Sequence, residues 1–266
     1  MLDANTTRMP MDAGFSVKEK DMPRTPAERA EVLAKPILQA IGSLNWATHT
    51  RFDIITALHV LARNMSNPCM KTWTGIRQLL KYVGSTRERP LIFPKCKEEY
   101  IRTITMFVDA SFQPDFASNG KSVTCLLIFV GASLVLFETR SQSIPVLSST
   151  HAEIVAMATA IRRVHFVEDL LLELGFECRV IVYEDNQSCM RNFNSLQIAD
   201  CSKCVRTKHW FNRYAFAKPH WSLRKINTKF QFADVGTRPL EASKFIGLWH
   251  LIDTFDPSIN YSDLPK

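Results

Sequence analysis

No run of apolar residues in this chain reaches membrane-spanning length, and its first residues hold no signal-peptide core. Both absences exclude a helical membrane protein and lead to the expectation of no membrane partner. A disulfide framework is also missing. The seven cysteines, Cys69, Cys96, Cys125, Cys178, Cys189, Cys201 and Cys204, are odd in number and scattered, which suits a reducing, intracellular and chiefly cytoplasmic setting. There is no internal repeat and no low-complexity tract. What is present is an ordinary globular composition over 266 residues, 46% hydrophobic and 22% charged, enough for one large domain or two small ones. The net charge of +7, from 33 basic and 26 acidic residues, leans toward a polyanionic partner, as many basic proteins do without one.

Residues 1–34 are polar and proline-punctuated, and read as a flexible lead-in. Over 35–84 three helical stripes follow, one through Ile37, Ile41 and Leu44, a second through Ile54, Ala57, Leu58 and Leu61, a third through Trp73, Ile76, Leu79 and Leu80. The charged stretch 85–100 reads as a linker. From 101 to 252 the period changes. A strand over 102–109 sets Ile104, Met106 and Val108 against Thr105, Phe107 and Asp109. A loop from Gln113 to Lys121 leads to two apolar runs, Ser122–Val130 and Ser133–Glu138, joined by the hairpin signal Gly131-Ala132. A helix over about 150–174 ends at Gly175, then comes a strand over 179–183, a helix to about 194 and a polar loop. A helix over 204–217, a short strand over 221–226 and final helices over 230–234 and 241–252 complete the pattern. Residues 253–266 read as a tail. The expectation is an α/β fold, a mixed five-stranded sheet with flanking helices preceded by a small helical module.

Four acids fall at element ends. Asp109 closes the first strand, Glu153 opens the long helix, Asp185 follows the fourth strand, and Asp234 lies by a short late helix. Parallel first and fourth strands would bring Asp109 and Asp185 together, with Glu153 beside them. Carboxylates so close cannot all ionise without cations, and hard oxygen donors suit Mg²⁺ or Mn²⁺. Two such ions about 4 Å apart serve phosphodiester hydrolysis. Each acid also has a plain structural reading: Thr150-His-Ala-Glu153 is a capping box, Asp185-Asn186 is turn chemistry, and Asp234 could lie at the surface.

The local words around these acids are Phe-Val-Asp109-Ala-Ser, Gly120-Lys-Ser, Leu147-Ser-Ser-Thr-His-Ala-Glu153, Tyr183-Glu-Asp185-Asn-Gln-Ser, Arg206-Thr-Lys-His209 and Phe232-Ala-Asp234-Val-Gly-Thr-Arg-Pro-Leu240. Six matches in this order resemble the ribonuclease H domain of copia-type retrotransposon Pol polyproteins, over about residues 101–252. Upstream, Ile41-Gly-Ser-Leu44, Thr50-Arg-Phe-Asp53-Ile and Met65-Ser-Asn-Pro68 resemble the end of that family's reverse transcriptase, its thumb and connection. The resemblance implies a ribonuclease H-like fold and Mg²⁺-dependent hydrolysis of the RNA strand of RNA–DNA hybrids. It implies catalytic and metal-binding roles for Asp109, Glu153, Asp185 and Asp234, with two Mg²⁺ ions, Mn²⁺ as a substitute, and the rest of the Pol polyprotein as partner. A virus-like particle or the nucleus joins the cytoplasm as a setting. Ser111-Phe112 stands where the family has Asp-Trp, His151 where it has Glu, and Glu184 where it has a small residue or Cys; alternation should turn Glu184 to the opposite face. No Asp-Asp pair of the polymerase type is present, nor a protease or integrase signature. The alternative is a nucleic-acid-binding or scaffold remnant without useful activity.

Lys203 to Lys229 holds eight basic residues, no acid, and interleaved aromatics, a pattern for a nucleic-acid backbone as much as for an amphipathic helix with solvated bases. Arg206, Lys208 and His209 are candidates there. Ser111, Asn186 and Gln187 are candidates for contact with the 2′-hydroxyl that separates RNA from DNA. Cys201, Cys204 and His209 lack a fourth ligand for zinc.

Overall fold

The computed structural model describes residues 7–112, 120–194 and 201–264, so most of the loop expected over 113–121 and most of the polar loop after 194 lie outside the described residues. The chain divides into two compact units. One holds the chain up to Leu91 together with Arg238–Gly247, and the other holds Ile92–Phe112, Lys121–Thr237 and the chain from Leu248.

The first unit is helical: α1 (Pro26–Leu33), α2 (Ile37–Ala47), α3 (Ile55–Ala62) and α4 (Met70–Ser85). The three stripes bury Ile41, Leu44, Ile54, Leu58, Leu61, Ile76 and Leu79 in one cluster. The flexible lead-in expected over 1–34 is corrected here. Met11 and Val32 belong to that cluster, and α1 is fixed by a capping box that periodicity alone does not show. Thr25 Oγ1 accepts from Glu28 N at 3.2 Å, and Glu28 Oε2 accepts from Thr25 N at 3.2 Å, with Pro26 at the first helical position. Asp53 is buried in this unit with a complete set of partners. Arg51 donates to it from Nε (2.9 Å) and Nη2 (2.8 Å), and the Tyr82 hydroxyl donates at 2.7 Å.

The second unit is built on a five-stranded sheet ordered β3-β2-β1-β4-β5. Its strands are β1 (Thr103–Ser111), β2 (Val123–Val130), β3 (Ser133–Ser141), β4 (Arg179–Glu184) and β5 (Trp221–Lys225). The first three form an antiparallel meander, while β4 runs parallel to β1 and β5 parallel to β4. The mixed five-stranded sheet with flanking helices is therefore present. Gly131 makes the β2–β3 turn at φ +57°, and a Cβ there would meet Cys96 Sγ at 2.8 Å.

As the middle strand, β1 is buried on both faces. Ile104, Met106 and Val108 face α5 (Ser149–Glu173), the crossover between the meander and β4. Ala152, Ala156 and Ala160 recur at four-residue spacing on α5 and let it sit close to the sheet beside Ile161 and Val164. On the other face Phe107 stacks on Phe232 (4.3 Å between centroids) and Tyr183 (5.0 Å). Phe129 and Phe255 meet at 4.1 Å, and Tyr261 stacks on Phe255 at 5.5 Å. Fully buried rings of this size contribute about 1.5–3 kcal/mol each. Residues 253–266, read as a tail, thus supply two rings to this face, Phe255 and Tyr261, both buried. Helices α6 (Gln187–Asn194), α7 (Lys203–Phe216), α8 (Asp234–Thr237) and α9 (Ala242–Asp253) complete the described elements. Over 228–237 the single helix expected through Phe230–Asp234 is instead a short 3-10 turn and then α8.

Candidate active site

The parallel pairing of β1 and β4, with Phe107 opposite Tyr183, brings the ends of both strands to one edge of the sheet. Asp109 lies two residues beyond that pair on β1, opposite Cys125 of β2. Glu184 ends β4 and Asp185 follows it. Glu153 comes from the first turns of α5, and Asp234 opens α8.

Asp109, Glu153 and Asp234 are buried, Glu184 fully so, and Asp185 is half-buried. Each of them lies within electrostatic reach of at least one of the others. Burial, then the charges of Asp234 and Asp185, push the Asp109 carboxyl up to about 7. Glu153 is held well above the ordinary carboxylate range by burial, then by Glu184, Asp109 and Asp185. Asp185 is raised chiefly by burial, and the Thr228 hydroxyl that donates to its Oδ2 at 2.8 Å works against this.

The plain structural readings of two acids do not hold. Helix α5 is capped by Ser148, whose Oγ accepts from His151 N at 3.2 Å, so Glu153 is spared that duty. Asp234 is 5% exposed and is no surface acid. Its segment is tied down from two sides. Gln231 Nε2 donates to Val108 O at 3.0 Å, and Thr139 Oγ1 donates to Gly236 O at 3.0 Å. Gly236 rests so closely on β2 that a Cβ there would collide with Cys125 Sγ and lie 2.7 Å from Thr139 Oγ1. Gln231, Thr139, Thr228 and Gly236 are positioning residues that sequence reading missed. Only Gly236 left a trace, as the glycine of Asp234-Val-Gly.

Glu184 refines an expectation. Strand alternation turns it to the α5 side with Val180 and Val182, but at the strand end that side also holds Glu153. Glu184 is the largest charge influence on Glu153, and its own carboxyl is raised well above the ordinary range, chiefly by burial. Its Oε1 accepts from Asn186 N at 2.9 Å. Glu184 Oε2 and Glu153 Oε2 are buried with no hydrogen-bond partner among the described residues.

No three His, Cys, Asp or Glu side chains among the described residues stand as a ready ligand set. The acids lie within electrostatic reach of one another without forming a closed cage. The donor chemistry nevertheless fits a hard divalent cation. Buried carboxylates with oxygens left without a partner among the described residues are what an oxygen-preferring ion would satisfy.

The remaining candidates scatter. Ser111 is half-buried at the end of β1. Asn186 Oδ1 accepts from Cys189 N at 2.9 Å and so is spent on the start of α6, whose first residue, Gln187, is exposed. On α7, Arg206 is exposed and Lys208 half-buried. His209 corrects its expectation. It is fully buried, facing Phe193 of α6 at 6.1 Å, and takes no place on a nucleic-acid surface. The aromatics of this segment divide: Trp221 is buried, while Trp210 and Tyr214 are exposed, with Arg213 lying 5.1 Å over the Trp210 ring. All seven cysteines are free thiols.

No family model matches the chain. The retrovirus-related Pol polyprotein from transposon TNT 1-94 of Nicotiana tabacum is 28% identical over 258 residues, covering 92% of this chain. That from transposon RE2 of Arabidopsis thaliana is 23% identical over 207 residues, or 77% of this chain. The chain is a relative of the retrovirus-related Pol polyproteins of plant transposons. It spans 18% and 14% of the length of these two relatives. A second kind of relative is secreted RxLR effector protein 161 of Plasmopara viticola, 28% identical over 126 residues, which are 47% of this chain and 86% of that protein. Among solved structures, an RNase H1 isolated from compost superposes with a TM-score of 0.40 at 15% identity, over 50% of this chain and 91% of its own. At that level the likeness carries no argument by itself. No helix among the described residues is long and apolar enough to cross a membrane.

Proposed function

We propose that the second unit is a ribonuclease H that hydrolyses the RNA strand of RNA–DNA hybrids, working as part of a copia-type Pol polyprotein. The observation that supports this best is the set of acids brought to one sheet edge from four separate elements, with burial and neighbouring acids raising the carboxyls of Asp109, Glu153 and Asp185. Asp109, Glu153, Asp185 and Asp234 would hold Mg²⁺, or Mn²⁺ in its place. Such ions supply activation of a water and stabilisation of the leaving oxygen in phosphodiester cleavage. The protein's own part is placement. Gln231 and Thr139 fix the segment of Asp234, Thr228 orients Asp185, and the apolar packing beneath limits water around Glu153 and Glu184. Lys203, Arg206 and Arg213 with Trp210 and Tyr214 form a basic, aromatic ridge along α7 suited to a nucleic-acid backbone and unstacked bases. Ser111, Asn186 and Gln187 are the candidates for contact with a 2′-hydroxyl.

The test is cleavage of an end-labelled RNA–DNA hybrid. Mg²⁺-dependent scission of the RNA strand that disappears in Asp109→Asn is the expected result. A second reading, a nucleic-acid-binding module without turnover, is favoured by the absence of a ready ligand set among the described residues and by the serine at position 111. Hybrid binding with no cleavage at any Mg²⁺ or Mn²⁺ concentration would select it. A relative that is a secreted effector rather than a polyprotein keeps that reading in view.

A further inference from the structure

The outer face of α5 carries a pattern that the proposed activity does not use. Over its last three turns it exposes Phe166 (65%), Leu170 (49%) and Leu174 (63%) at four-residue spacing. Apolar groups gathered this way on one helix differ from the scattered exposed residues of an ordinary surface. Charge is distributed unevenly around them. Arg162 lies one turn before Phe166, and Glu173 lies just under one turn after Leu170, both exposed. Neither has an ion-pair partner among the described residues. The inner face of the same turns is occupied, since Glu168 accepts from Trp221 Nε1 at 3.3 Å and pairs with Lys218 and His220.

We propose that α5 pairs antiparallel with α5 of a second copy of this chain, Phe166 packing against Leu170 of its mate and Arg162 meeting Glu173. The face is self-complementary in the way a two-fold interface requires, where each contact from residue i to residue j is repeated from j to i. Inverting the helix about a point between Val167 and Glu168 carries position 162 onto 173 and position 166 onto 169, beside Leu170. At 100° per residue, Arg162 and Glu173 lie within about 20° of each other around the helix, so they share one flank of the seam. In a two-fold antiparallel pair that flank faces its own counterpart, and two Arg162–Glu173 ion pairs form together. Asp169 lies on the same flank close to the axis, level with position 166 of the mate and just under one turn from its own copy, a like-charge contact that weakens the pair. A single helix seam is small, so the dimer is a weak one that grows with concentration.

Sedimentation velocity on the full chain, from low concentration to about 100 µM, reads this directly, since weak interfaces populate in that range. The wild-type chain is expected to move from monomer to dimer. Phe166→Glu and Arg162→Glu should each leave monomer alone, with circular dichroism confirming that they fold. The double exchange Arg162→Glu with Glu173→Arg should restore the dimer, and Asp169→Asn should shift the equilibrium toward it at lower concentration. A chain that stays monomeric throughout, or a dimer that survives Phe166→Glu, overturns the proposal. Failure of the charge exchange to restore pairing overturns the antiparallel register. Hybrid cleavage does not enter any of these measurements, so the nuclease reading stands or falls apart from them.

Discussion

Buried carboxylates occur in both units, and they are treated in opposite ways. In the helical unit Asp53 receives two bonds from Arg51 and one from Tyr82, and Arg89 stands 3.8 Å away. In the sheet unit Glu153 and Glu184 each keep one buried oxygen without a partner among the described residues, and Asp109 has acids as its charged neighbours. Removing a charge from water costs several kcal/mol, roughly, unless something replaces the water. For Asp53 the replacement comes from the chain itself. For Glu153 and Glu184 at the sheet edge it is incomplete, one buried oxygen of each being left over among the described residues, and a cluster left in that condition suits a ligand brought from outside. The contrast separates a carboxylate whose partners come from the fold itself from carboxylates left open to a ligand.

The contrast can be broken in several ways. The largest effect belongs to the acid proposed to carry the reaction. Asp109→Asn should lower the rate of hybrid cleavage by about 10³-fold or more, the scale on which preorganised charge acts; unchanged cleavage would remove Asp109 from the chemistry. Next comes the paired acid. Arg51→Ala leaves Asp53 buried without its main partner and should cost about 3 kcal/mol in urea unfolding while sparing cleavage rates in the folded fraction. A third measurement is melting with and without Mg²⁺. Saturating ion should stabilise the wild-type chain by about 2–3 kcal/mol at roughly a hundred times the dissociation constant, and Asp109→Asn by much less.

The smallest effect concerns pH in the absence of metal. A carboxyl whose folded pKa exceeds its unfolded value stabilises the fold only at low pH, and that contribution disappears as pH rises through the folded value. Asp109 moves from 3.8 to about 7, so metal-free stability should fall across that window. Glu184→Gln, which removes a buried carboxyl whose pKa is raised, should make the metal-free chain more stable at high pH and flatten the fall. A flat profile in the wild-type chain would mean that the acids are solvated and the contrast is unfounded.

Much of this arrangement is legible in the residues. The alternation in Thr103–Ser111 reads as a strand because Ile104, Met106 and Val108 fall on one side and Thr105, Phe107 and Asp109 on the other. The spacing from Ile154 to Val164 reads as a helix because one stripe meets the sheet. Asp109, Glu153, Asp185 and Asp234 stand out because each sits where an element starts or stops. Other features had no local signal. Gln231 serves Asp234 by reaching Val108, 123 positions away in the chain, and no window of sequence shows such a bond. His209 stands among basic residues, yet helical phase turns it inward against Phe193. Phe255 and Tyr261 look like a loose end until the aromatic face of the sheet is in view.

The missing side chain at position 236 has a consequence of its own. Because Gly236 leaves α8 packed directly against Cys125, the residue opposite Asp109 on β2, the seating of the Asp234 segment depends on the size of that thiol, which burial keeps protonated. Enlarging either member of that contact, by Gly236→Ala or Cys125→Met, would slide one acid outward while leaving every carboxylate chemically intact. Spacing and charge at this edge can therefore be varied separately, with a methyl group as the shim.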